Sequence, residues 1–155
     1  KESLSGKLPM KKPVNPDTWK PSYGIYFNSD KSFVYFTDLD NDNFYDGSCP
    51  PSSSLDKECL DEINIKGGTI SKLEIIPIST SCTGSVSASG VQDFLGVVFK
   101  RPNSGAVMIS DVNYPLIEVL PHDTFSCVQI TIQSSKSPAI NAKIKVYPSG
   151  RIQVN

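Results

Sequence analysis

Asp38, Asp40, Asp42 and Asp46 are crowded into the stretch FTDLDNDNFYDG, Phe36 to Gly47, directly behind the aromatic run SFVYF. The spacing D-x-D-x-D-x-x-x-D puts oxygen ligands at positions 1, 3, 5 and 9 of an EF-hand-like calcium loop, with the Phe44 carbonyl at position 7. Hard Ca²⁺ takes six to eight oxygens, and clustered carboxylates repel one another unless a cation stands between them. Two positions depart from the pattern. Asn43 stands where glycine makes the sharp turn at position 6, and Cys49 where a glutamate binds through both oxygens at position 12. The competing expectation is an Asx-rich turn after an edge strand, in which Asp and Asn bond their own backbone and Asn43 takes the left-handed conformation. Calcium is the one cofactor the sequence offers. Its expected ligands are Asp38, Asp40, Asp42 and Asp46, and its expected affinity is weak, on the order of 10⁻⁴ to 10⁻³ M.

Other chemistry finds little to work with. The only histidine, His122, is followed by Asp123, and there is no G-x-S-x-G, H-E-x-x-H or phosphate-binding glycine loop. A glycosidase needs two spaced carboxylates in a cleft, whereas the only dense carboxylate cluster is the acidic loop. The chain is therefore expected not to be an enzyme. Its four cysteines, Cys49, Cys59, Cys82 and Cys127, include no C-x-x-C pair and make a poor zinc inventory. Their even number, with charged residues at only 20%, suits two disulfides formed in an oxidising compartment. Three pairings are possible. Cys49 with Cys59 and Cys82 with Cys127 is favoured, the first closing the short loop CPPSSSLDKEC for roughly 2.5 to 3 kcal/mol.

A net charge of −1 and a pI of about 5.8 give no global basic field, which disfavours a protein built chiefly to hold nucleic acid or anionic membrane. Lys11, Lys12, Lys20, Lys100, Arg101, Lys143, Lys145 and Arg151 are dispersed among acids. DNA contact would draw on Arg151, Lys143 and Lys145. The alternative is that Lys143 and Lys145 form an ordinary solvated strand face that discourages edge pairing.

The elements that must position these groups are strands. A length of 155 residues suits one domain. Residues 1–21 form a Lys- and Pro-rich lead-in with Pro9, Pro13, Pro16 and Pro21, where no long helix fits. The globular domain is expected over 22–155. SYGIYF (22–27) and SFVYFT (32–37), joined by NSDK, read as a hairpin. Leu55, Cys59 and Ile63 repeat at spacing four in SSSLDKECLDEI, which predicts one or two helical turns there. LEIIPI (73–78), FLGVVF (94–99), AVMIS (106–110) and YPLIEVL (114–120) follow as strands between Gly, Pro and Asn clusters. In the last third, Val128, Ile130 and Ile132 alternate with Gln129, Thr131 and Gln133, and Ala142, Ile144 and Val146 with Lys143 and Lys145. Both strands are expected to be half buried. PSG at 148–150 then turns the chain into RIQV as a closing hairpin. Short strands with turns between them predict a mainly β fold of two antiparallel sheets rather than βαβ units.

The aromatic pair SYGIYF and SFVYFTDLDNDNFYD, the FKRPNSGAV hairpin and the ending ITIQ…KIKVYPSGRIQV resemble the globular domain of type IV pilin-like proteins, in particular minor pilins and pseudopilins of the GspH and FimT kind. The resemblance covers most of residues 22–155. It implies a structural, non-catalytic subunit of a type IV pilus or type II secretion filament. Its partners would be other pilin or pseudopilin subunits, and its location the periplasm or a cell-surface filament. It also implies an apolar N-terminal helix that anchors the full-length form in the inner membrane before assembly, and residues 1–21 would be the linker from that helix. Some members of the group take up DNA. No apolar run in the chain approaches a membrane span, and the first residues lack the hydrophobic centre of a signal peptide. The reading from another class is a secreted calcium-binding β-sandwich for adhesion or carbohydrate binding, in which Trp19, Tyr23, Tyr26, Tyr35 and Tyr45 would stack on sugars.

Overall fold

The computed structural model describes residues 21–50, 58–82, 94–100, 105–113, 116–120 and 125–155. Almost all of the lead-in, the segment SSSLDK, Trp19, Lys11, Lys12, Lys20, Arg101 and His122 lie outside the described residues.

Among the described residues, ten strands form two antiparallel sheets and no helix occurs. β1 (Ser22–Phe27), β2 (Ser32–Asp38), β3 (Cys59–Asn64), β5 (Leu95–Phe99), β6 (Ala106–Asn113) and β7 (Leu116–Leu120) make a six-stranded sheet in the order β3-β2-β1-β5-β6-β7. β4 (Gly68–Pro77), β8 (Phe125–Ser134), β9 (Asn141–Val146) and β10 (Ile152–Val154) make the second, in the order β10-β9-β8-β4. Aromatic and β-branched side chains suit a pleated, half-buried surface, which is why SYGIYF and SFVYFTD pair directly across their short turn. Gly150, at φ 80°, turns β9 into β10 as the PSG signal predicts.

The main core lies between the sheets. Phe27, Leu95, Val97 and Met108 of the first meet Leu73, Phe125, Val128 and Ile130 of the second. Period-two alternation sends the remaining side chains outward, yet neither outer face is bare. On the six-stranded sheet, Val34, Phe36, Val98, Val107 and Ile109 form a second cluster, roofed by Phe44 and Tyr45 of the acidic loop. On the four-stranded sheet, Ile76, Cys82 and Cys127 form a third with Tyr147. One disulfide serves each outer cluster: Cys49–Cys59 joins the first, with Cα atoms 5.6 Å apart, and Cys82–Cys127 the second, at 6.1 Å. The favoured pairing is thus the observed one. Two disulfides point to an oxidising, extracytoplasmic compartment.

Two expectations need correction. The spacing-four pattern does not make helical turns at Cys59–Ile63, which belong to β3. Edge pairing with β2 prevails there, with Phe36 opposite Cys59 and the Ser32 hydroxyl donating to Glu62 at 2.9 Å. The outward face of β8 and β9 is also less solvated than alternation predicts. Gln129, Thr131 and Lys145 are buried, and Gln129 Nε2 donates to Glu74 Oε2 at 2.8 Å. Cys82 sits on this face, bonded to Cys127, and the Lys145 ammonium donates to its carbonyl at 2.6 Å.

Candidate metal centre

β2 ends at Asp38, whose side chain lies on the outer face of the six-stranded sheet with those of Val34 and Phe36. The chain then reverses through Asn41 and Asn43, at φ 66° and 74°. Both take the left-handed conformation that Asn tolerates better than most residues. The reversal lets Phe44 and Tyr45 fold back over the sheet. Tyr45 packs 5.3 Å from Phe36 and 5.4 Å from Tyr26, ring centre to ring centre. These contacts are the hydrophobic anchor that holds an otherwise acidic loop against the domain.

The loop's backbone donors are taken by carboxylates. Asn43 N donates to Asp38 Oδ2 at 3.2 Å, and Phe44 N to Asp42 Oδ1 at 2.7 Å. Two further donors reach a residue from a different part of the chain. Leu39 N donates to Glu58 Oε1 at 2.8 Å and Asp46 N to Glu58 Oε2 at 3.0 Å, while the Glu58 carbonyl accepts from Thr37 N at 2.8 Å. Glu58 therefore stitches both ends of the loop to the start of β3. Only 6% of it is exposed, and none of Asp38.

Within this frame one carboxylate oxygen each of Asp38, Asp40 and Glu58 lies within 4.8 Å of the other two. Asp40, Asp42 and Asp46 form a second, exposed group of the same size. The four aspartates singled out by spacing thus divide between two groups that share Asp40, and the buried group is completed by a residue the spacing did not include. The missed signal was present in the sequence. Cys49 occupies loop position 12, and its disulfide partner Cys59 is the chain neighbour of Glu58.

The electrostatics follow from crowding and burial. Burial pushes the Glu58 carboxyl up to about 7, with Asp40 and Asp38 adding to the rise and the Asp46 and Leu39 amides opposing it. Asp38 is raised by burial first, then by Asp42 and Asp40, against the amides of Asn41 and Asn43. Asp46 is raised by desolvation and by its neighbours Asp42 and Asp40. Asp38 Oδ1 is buried and accepts no hydrogen bond. A buried, unpartnered carboxylate oxygen beside two further carboxylates is costly without a counter-charge. Hard, oxygen-rich donors of this kind suit a divalent cation such as calcium.

A cavity of about 240 Å³ adjoins the loop, walled by Tyr26, Phe36, Phe44, Phe94 and Ile109, with Asn43 and Asp46 at its polar side. Tyr26 and Tyr45, expected as sugar platforms, belong to this aromatic cluster, and Tyr23 stacks on Tyr35 at 6.2 Å. The basic residues are distributed differently. Lys145, expected on a solvated face, is buried against the Cys82 carbonyl, so its charge is not presented to a phosphate. Lys143 is half buried, and the Arg151 guanidinium lies 3.8 Å over the Tyr147 ring.

Comparison with protein-family models, with curated proteins and with solved structures finds no match for this chain.

Proposed function

We propose that the chain is the globular domain of a non-catalytic structural subunit of the minor pilin or pseudopilin kind, belonging to an extracytoplasmic type IV pilus or type II secretion filament. The observation that carries the reading is where its motifs fall in the fold. The aromatic pair β1–β2 lies within the six-stranded sheet next to β5, and the closing pair β9–β10 completes the four-stranded one. The pieces that carry the resemblance are therefore framework, not decoration. Two disulfides agree with function outside the cytoplasm.

On this reading the mechanism is assembly. An apolar helix on the N-terminal side of Lys1 anchors the full-length form in the inner membrane and packs against other subunits, while the β domain presents its loops at the filament surface or tip. The carbohydrate-binding alternative draws less support, because Tyr26 and Tyr45 are engaged in the aromatic cluster. DNA capture loses Lys145 as a contact.

The encoded sequence upstream of Lys1 tests the proposal. A short basic leader, a peptidase site and an unbroken apolar helix are expected. A cleavable secretory signal peptide would favour a secreted binding module instead.

A further inference from the structure

Whether or not the domain belongs to a filament, the acidic loop has a property of its own. A run of aspartates is by itself an ordinary solvated turn, and the exposed group of Asp40, Asp42 and Asp46 needs no ion. The other group differs because two of its members are buried. Asp38 is fully enclosed, and its Oδ1 accepts no hydrogen bond although its carboxylate stands within 4.8 Å of those of Asp40 and Glu58. Loop amides donate to these acids: Asn43 N to Asp38 Oδ2, Leu39 N and Asp46 N to the two oxygens of Glu58, and Asp42 N to Asp40 Oδ1 at 3.4 Å. The carboxylates are thereby oriented before any ligand arrives.

We propose that Asp38, Asp40 and Glu58 bind one calcium ion in a split version of an EF-hand-like loop, in which the glutamate immediately before β3 replaces the twelfth loop residue. Both departures from the linear motif are then accounted for. At position 6, Asn43 adopts φ 74° and makes the reversal that glycine usually makes. At position 12, Cys49 supplies no carboxylate but is bonded to Cys59, the residue that follows Glu58. The disulfide and the pairing of Phe36 with Cys59 tether the required acid to the loop from the far end of the intervening segment. Calcium fits better than magnesium. It accepts irregular oxygen cages of six to eight ligands, whereas magnesium demands a near-ideal octahedron. With three carboxylates named, the other positions are left to backbone oxygens and water. The consequence for the domain is local: the ion fixes the acidic loop, with Phe44 and Tyr45, onto the outer face of the six-stranded sheet.

The test is calorimetric titration of the oxidised, chelator-stripped domain with calcium chloride, alongside thermal melts. One site is expected, with a dissociation constant of about 1 mM or tighter. Calcium at ten times that constant should raise the melting temperature by about 3 to 5 °C. Asp38→Asn and Glu58→Gln should each weaken binding by about tenfold or more, Asp42→Asn by less than about threefold, and Asp30→Asn, on the exposed β1–β2 turn, not at all. If Glu58→Gln shows no folding transition in chelator, Asp40→Asn serves in its place, because that side chain is exposed and shared by the site. The absence of heat and of any melting shift at 10 mM calcium would overturn the proposal. So would equal losses in Asp42→Asn and Glu58→Gln, which would return the ligands to the linear loop alone.

Discussion

Raising the pH of the calcium-free domain from about 5 to about 8 should destabilise it, and Glu58 supplies most of the effect. In the folded protein burial holds its carboxyl at about 7, against an ordinary 4.5 in the unfolded chain. Between those values the folded state carries the extra proton, so stability is full below the lower one and falls as pH rises towards the upper. A separation of about 2.5 pH units at about 1.36 kcal/mol each gives a loss of about 3 kcal/mol. Asp38, also raised by burial, acts in the same direction from a lower starting pH. Urea unfolding of the oxidised protein in chelator, followed by circular dichroism at half-unit pH intervals, measures the slope. Glu58→Gln should remove most of it, since glutamine has no proton to lose. Saturating calcium should flatten it in the parent chain by favouring the charged carboxylate. A stability that stays level or rises between pH 5 and 8 without calcium would rule out a raised Glu58 carboxyl, as would an equal fall in Glu58→Gln.

Three further predictions concern the scaffold. Intact mass under non-reducing conditions should fall four hydrogens short of the reduced chain, and four alkylatable thiols would contradict both disulfides. Replacing Cys82 and Cys127 by serine should cost about 4 kcal/mol and replacing Cys49 and Cys59 about 2.7 kcal/mol in chemical denaturation, because the loops they close span 45 and 10 positions; the opposite order would count against the chain-entropy argument. Gly24→Ala should cost about 1 to 3 kcal/mol, since a Cβ there would overlap the Phe36 ring that lies across β1. Combining it with Phe36→Leu should cost less than the two single changes together, and strict additivity would show that the ring is not the obstacle.

Local pattern carried much of this fold. SYGIYF, SFVYFT and the closing hairpin were legible because each combines β-forming side chains with a turn whose chemistry is specific, as at Gly150. The inward face of β8 was legible for the same reason, with Val128 and Ile130 in the core. Its outward face was not. Whether Lys145 meets water depends on the Cys82 carbonyl it reaches, a contact between residues 63 positions apart that no periodicity encodes. The error at Cys59–Ile63 has a related cause, for a spacing of four over three residues is outweighed by strand pairing and a disulfide. At the acidic loop the linear motif found Asp38 and Asp40 but could not supply Glu58, which arrives through tertiary structure.

Fractionation of the cell that makes this protein, with antibody against the β domain, separates a filament subunit from a secreted binding module. On the filament reading the full-length chain should be retained with the inner membrane until assembly and then recovered in filament assemblies together with other subunits. Recovery only as a free monomer in the medium, with a mature end made by removal of a signal peptide, would contradict it.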